Sequence, residues 1–265
     1  MKTIPFILFA ALVVVTSCKS ISKTAKPVET KPFAEETGNL GFMEKKWKSG
    51  IDFYATGNEP FWAIDIDFEG DIIFSTMNGD RFVFRKEEVK WYRTATPGFS
   101  ASNSSGQLSF VSMMEECADT MSDEVFQYKI TIDLNKDGET QKTFTGRGNY
   151  VPDYRLDGKW KLDQLGNKKA VETDFYGKMP VFTFEMDALR FGGSSGCNMI
   201  SGKVNMNPGK ISFGEMISTR MACPEGKEDE LNQALQSTMF YTLEESKLIL
   251  KDENQEITLV FSRSE

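Results

Sequence analysis

Three stretches of this chain have the residue types of known chemistries. Gly192-Gly193-Ser194-Ser195-Gly196 has the Gly-x-Ser-x-Gly spacing of a serine nucleophile on a strand-to-helix elbow. That nucleophile needs an imidazole base, and the 265 residues contain no histidine. The same count excludes Ser-His-Asp triads, Cys-His dyads and His-ligated metals. The glycines there are read as a turn that needs unusual backbone angles. Asp133-Leu134-Asn135-Lys136-Asp137-Gly138 opens like a calcium loop, but Phe144 stands where the closing glutamate belongs. A hairpin turn between Ile132 and Phe144 is the better reading. Asp65, Asp67, Glu69 and Asp71 alternate along one stretch. They would share one face of a strand and suit a hard divalent cation, or more simply form the solvated face of an edge strand. No catalytic, cofactor or metal residue is assigned from these patterns. Glu59 is the most interesting carboxylate. Asn58 and Pro60 imply a turn around it, and Phe61-Trp62 puts a buried or rim aromatic pair beside it. Asn58, Glu59 and Trp62 are therefore the candidate ligand or rim residues, against the plainer alternative of a turn held down by an aromatic plug.

Of the four cysteines, Cys18 has the clearest context. Lys2 precedes an apolar run from Ile4 to Val15, twelve residues long. A membrane-spanning helix needs about 20, so this run has the length of a signal-peptide core. It ends in Val15-Thr16-Ser17-Cys18, which resembles the bacterial lipobox. The resemblance implies cleavage before Cys18, a diacylglyceryl group on its thiol and an acyl chain such as palmitate on its amino group. Several acyl chains make a stable anchor. Lys19 follows, without the aspartate that commonly retains lipoproteins at the inner membrane, so the resemblance points to the outer membrane.

The rest of the chain must position these residues. A charge of −8 gives no general attraction to nucleic acid phosphates, so nucleic acid is not an expected partner. Lys19 to about Gly41 is polar, carries Pro27 and Pro32 and lacks apolar periodicity, as a tether would. Then period two begins. Ile64, Ile66 and Phe68 alternate with acids, and Phe126, Tyr128, Ile130 and Ile132 with polar residues; Phe182-x-Phe184 and Ile257-x-Leu259-x-Phe261 repeat the pattern. Such alternation predicts antiparallel strands with one buried face. One helix is predicted from about Gly226 to Thr238, with Leu231, Ala234, Leu235 and Met239 on one face. The fold class is mainly β with one packed helix, in two small, partly open antiparallel barrels. The division is 1–17 signal peptide, 18–44 tether, 45–152 first β domain and 153–265 second. Lys46-Trp47-Lys48 and Lys159-Trp160-Lys161 are read as first strands whose tryptophans plug the two barrels.

Two resemblances follow. Trp160-Lys161-Leu162, Pro180-Val181-Phe182-Thr183-Phe184, Gly196-Cys197-Asn198, Thr219-Arg220-Met221-Ala222-Cys223 and Leu259-Val260-Phe261 occur in the order seen in META domains, the family of the heat-shock lipoprotein HslJ. The resemblance implies an incompletely closed barrel with a helix packed on it and no enzymatic activity. It also extends to lipid-binding pilot lipoproteins of secretion systems. Gly57-Asn58-Glu59-Pro60-Phe61-Trp62, followed by Cys117-Ala118-Asp119-Thr120-Met121-Ser122, resembles a domain of other envelope lipoproteins. Where that family commonly has Gly-Cys, this chain has Gly146-Arg147. Cys197 and Cys223 lie in the two diagnostic META boxes. In an oxidising envelope they are expected to pair, closing a loop of about 25 residues and stabilising by about 3 kcal/mol. Two buried thiols are the alternative.

The expected function is a lipid-anchored, non-enzymatic binding or adaptor lipoprotein in envelope homeostasis or stress response. It would meet the membrane through Cys18 and take a hydrophobic small molecule or an envelope protein as partner. A glycan hydrolase using carboxylates such as Glu59 or Asp119, and a structural protein without a small ligand, are the alternatives.

Overall fold

The computed structural model describes residues 41–92, 98–118, 125–136, 139–222 and 226–265. Cys18, Asp119 and Cys223 lie outside them. After a short helix α1 (Phe42–Lys48), the first sheet takes in β1 (Phe53–Asn58), β2 (Phe61–Ile66), β3 (Ile72–Thr76), β4 (Arg81–Phe84), β5 (Val89–Tyr92), β6 (Gly98–Asn103), β7 (Gly106–Ala118), β8 (Val125–Asn135) and β9 (Lys142–Tyr150). The second takes in β10 (Gly158–Leu165), β11 (Lys168–Lys169), β12 (Val181–Glu185), β13 (Arg190–Ser194), β14 (Met199–Asn207), β15 (Lys210–Ser218), β16 (Phe240–Glu244), β17 (Lys247–Lys251) and β18 (Ile257–Ser264), with helix α2 (Glu228–Gln236) between β15 and β16. Both sheets are antiparallel, as the alternation predicts. The fold is mainly β, and the first sheet is nearly closed and barrel-like.

In the first sheet the order is β4-β3-β2-β1-β9-β8-β7-β6-β5. The Asn103 amide donates to Val83 O at 2.9 Å, tying the end of β6 to β4 where the edges approach. The inward residues form two aromatic layers. Phe53, Tyr128 and Tyr150 meet edge to face at one end. At the other end Trp62, Phe74 and Phe144 pack together. Edge-to-face packing lets the positive ring edge meet the negative face of its neighbour.

The second sheet closes through β10, which pairs with both β12 and β18. The weak seam lies between β15 and β16, whose ladder has one residue pair, Lys210 with Phe240. The predicted helix is there, two residues shorter at each end than expected. Its Leu231 and Leu235 are buried in the core, while Met239 lies beyond it, exposed. Trp160 plugs this barrel as expected: it is fully buried and its Nε1–H donates to Leu156 O at 2.7 Å.

Three expectations are corrected. Trp47 is on α1 and not on a strand, and its ring meets Tyr154 at 5.8 Å. The helix is held by Lys46, whose ammonium pairs with Asp65 at 2.6 Å and lies over the Tyr54 ring. It also begins at Phe42, within the stretch read as tether. The acidic row is not a strand face either. β2 ends at Ile66, and residues 67–71 form a turn in which the Glu69 N–H donates to Asp67 Oδ1 at 2.8 Å. Gly70 is an ordinary reason for a strand to stop. Asp65 is used by Lys46, and Glu69 pairs with Lys86. Asp52 packs beside this turn and accepts from the Phe68 N–H at 2.7 Å. Its partial burial raises its carboxyl above the usual range.

Candidate functional site

The residues singled out by sequence sit on the β1–β2 hairpin. Asn58 and Phe61 are the last register pair, and Glu59-Pro60, joined by a cis peptide, makes the turn. Alternation then sends Phe61 outward and Trp62 inward. Phe61 is exposed, while Trp62 is buried and donates from Nε1 to Thr145 O at 3.3 Å. The neighbouring strands leave no space around this indole. A Cβ on Gly57 would stand 2.1 Å from Trp62 Nε1, and one on Gly146 2.2 Å from Thr56 O. Real Cβ contacts do not approach so closely, so these glycines are there for close approach. Trp62 is thus a plug, and the rim at this end is made by Glu59, Pro60 and Phe61.

A cavity of about 200 Å³ opens beside Pro60 and Phe61, and Asn58, Glu59 and Trp62 are not among the residues that line it. Three turns that are distant in sequence form its wall: Pro60-Phe61, the β3–β4 turn with Thr76, Met77, Asn78 and Asp80, and the β8–β9 connection with Lys136, Glu139, Thr140 and Lys142. Phe82, Leu134 and Phe144 form the apolar interior. The charges at the lip pair with one another. Lys136 reaches Asp80 at 3.7 Å and Glu139 at 3.2 Å, and Lys142 reaches Glu139 at 3.1 Å. Hydrogen bonds from Lys142 and Lys136 hold the Glu139 carboxyl below its ordinary range, and Glu139 raises Lys136.

The opposite end of this barrel faces the second. The chain leaves the first sheet at Tyr150, and the Tyr128 hydroxyl donates to Oδ1 of Asn207, the last residue of β14, at 3.3 Å. The mouth beside Glu59-Pro60 is therefore the end turned away from the second barrel.

The META boxes assemble into a polar knot. Glu228, the first residue of α2, accepts from Asn198 N–H at 3.2 Å, from Asn198 Nδ2 at 2.8 Å and from the Ser195 hydroxyl. Asn198 Oδ1 in turn accepts from Thr219 Oγ1 at 2.9 Å and from Met221 N–H at 2.8 Å. Ser195 is fully buried and no helix follows β13, so the Gly-x-Ser-x-Gly spacing here serves a turn. A second, shallow groove of about 630 Å³ runs between α2 and the β17–β18 turn, lined by Gln233, Ala234, Asp252 and Ile257 among others. No group of acidic or thiol side chains able to hold a metal is found among the described residues. Asp133, first residue of the calcium-like stretch, instead accepts from Thr143 Oγ1 across the β8–β9 hairpin at 2.6 Å. Cys117 is buried on β7, its thiol donating to Glu115 O at 3.4 Å. Because Cys223 is not described, the expected Cys197–Cys223 pair is not placed.

Residues 154–265 match the META domain family. Among solved structures, a protein from Burkholderia xenovorans determined by NMR is 26% identical over 49% of this chain and 97% of its own, with a TM-score of 0.34. A DUF4847 family protein from Bacteroides vulgatus is 17% identical over 41% of this chain and 94% of its own, with a TM-score of 0.31. Superpositions this loose carry no functional weight. No curated protein sequence matches the chain.

Proposed function

We propose that this protein is an envelope lipoprotein, anchored through acyl chains on Cys18, that binds a ligand or partner and performs no catalysis. The anchor rests on the twelve-residue apolar run that ends in Val15-Thr16-Ser17-Cys18. The META match over residues 154–265 agrees with an envelope association. The likeness of Gly57–Trp62 to other envelope lipoproteins points the same way. The observation that carries the binding reading is the open mouth of the first barrel, an apolar interior under a polar lip, which is the ordinary form of a small-ligand site. Cys197 and Cys223 pair in this reading, closing the loop between the two META boxes. Its setting is the outer membrane, with a role in envelope homeostasis or stress.

Metabolic labelling with an alkyne analogue of palmitate tests the anchor. The chain should take up label, and Cys18→Ala should abolish it completely. Equal labelling of the variant would place the acyl group elsewhere, and no labelling of either would remove the anchor.

A further inference from the structure

Helix α1 precedes the first barrel in sequence, yet it touches both barrels. Its grip on the first is ionic and aromatic. Lys46 Nζ lies 2.6 and 2.7 Å from the two carboxylate oxygens of Asp65 and 4.7 Å from the centre of the Tyr54 ring, which Phe42 meets edge to face at 5.1 Å. Tyr54 and Asp65 are a register pair of β1 and β2, so a single rung of the sheet holds the helix. Other residues of α1 meet the second barrel. The Trp47 ring lies 5.8 Å from that of Tyr154, which packs against the second core. Gly41, the residue before α1, lies against Asp187 in the β12–β13 turn, where a Cβ would stand 2.6 Å from Asp187 Oδ1. That carboxylate is not free to swing away, because the same oxygen accepts from the Tyr154 hydroxyl at 2.5 Å.

The direct connection between the barrels is slight by comparison. Residues 151–153 lead from β9 to the turn before β10, and the Tyr128 hydroxyl meets Asn207 at 3.3 Å, long for a hydrogen bond between oxygens. Helix α1 is itself lightly secured. It has seven residues, none of them buried, and a helix so short does not persist in water without its tertiary contacts. An element with few buried contacts opens at low cost. We propose that α1 is a clasp. Docked, it fastens the second barrel to the first and fixes the direction in which the cavity beside Pro60 and Phe61 faces. Undocked, it leaves the barrels to swing about residues 151–153. The segment that follows Cys18 enters the fold through α1, so the clasp lies between the anchor and both barrels. That placement rests on the proposed anchor; the clasp does not.

Single-molecule energy transfer reads the angle between the barrels, in the full chain in lipid nanodiscs, with dyes placed at Ser105 and Glu253. Both positions are exposed, one in the β6–β7 turn and one in the β17–β18 turn. Wild type should give one narrow population. Trp47→Ala should raise the open population about fivefold, and Lys46→Ala by at least as much. Gly41→Ala, which adds a methyl group against the held Asp187, should act in the same direction. Trp47→Phe keeps a ring against Tyr154, so it should restore most of the closed form and guards against a variant that merely misfolds. Three results would overturn the clasp: a distribution unchanged in both Trp47→Ala and Lys46→Ala, a distribution already broad in wild type, or opening by Tyr128→Phe alone. A chain that bears no fatty acid and still opens on Trp47→Ala would keep the clasp and remove only its link to the anchor.

Discussion

Trp160→Ala is expected to lower the stability of the second barrel by about 4 kcal/mol, the range found for emptying a tryptophan site in a core. The indole is fully buried among Leu162, Phe182 and Phe261 and their neighbours. It also does two things a smaller side chain cannot. Its Nε1–H satisfies Leu156 O at 2.7 Å, and its face carries the Arg263 guanidinium at 4.6 Å. Arg263 in turn donates to Asp157 O at 2.9 Å and to Arg155 O, so the ring joins the end of β18 to the turn before β10, the strand that closes the barrel. A loss of this size is a large share of the roughly 5–15 kcal/mol that holds a domain together. In calorimetry of the full chain the transition of the second barrel should fall by roughly 15 °C or more. Trp47 is the control within the same molecule. It has the same Lys-Trp-Lys context but sits on a seven-residue helix and is only half-buried. Trp47→Ala should cost about 1 kcal/mol. Equal shifts from the two variants would contradict the assignment of Trp160 as the plug.

Glu228→Ala is expected to cost about 3 kcal/mol, through a different mechanism. Its carboxylate is the shared acceptor for both nitrogens of Asn198 and for the Ser195 hydroxyl. Removing it strands donors in a site where Ser195 and Asn198 are both buried, and unpaired buried donors cost about 1–3 kcal/mol each. The Ser195 hydroxyl has a fallback, since Asn198 O lies 2.9 Å away. The loss also removes one of three acids from the first turn of α2, where the helix dipole favours them. Glu228→Gln keeps the shape and one acceptor, so it should recover about half of the loss. Chemical denaturation should rank wild type, Gln and Ala in that order. Gln as damaging as Ala would mean that charge, not hydrogen-bond geometry, holds the knot.

Period-two alternation made the sheets legible, because burial of one strand face depends on neighbours only through a side-chain rule. Phe126 to Ile132 reads as a strand and is one, and the α2 stripe of Leu231 and Leu235 reads as a helix for the same reason. Trp160 was legible as a plug from its place at the start of a strand. Trp47 was not, because α1 is seven residues long, shorter than an isolated helix can sustain, and is held by tertiary contacts with Asp65, Tyr54 and Tyr154 that no local pattern announces. The acidic row misled because alternation continued past Ile66 while Gly70 turned the chain. Sequence offered Asn58, Glu59 and Trp62, which lie next to the mouth without lining it; only their neighbours Pro60 and Phe61 do. It could not offer Thr76, Phe82, Leu134 or Lys142, which arrive from other hairpins and carry no signal until the strands pair. The Glu228–Asn198 contact spans thirty residues and was hidden in the same way.

The compartment and the role proposed for this protein depend on what happens at its eighteenth residue. Intact-mass measurement of the protein extracted from its native envelope decides this most directly. The expected mass is that of a chain beginning at Cys18 and carrying a diacylglyceryl group and an amide-linked acyl chain. A polypeptide that begins at another residue and bears no fatty acid would contradict the anchor and remove the envelope setting in which a barrel-mouth ligand has been proposed.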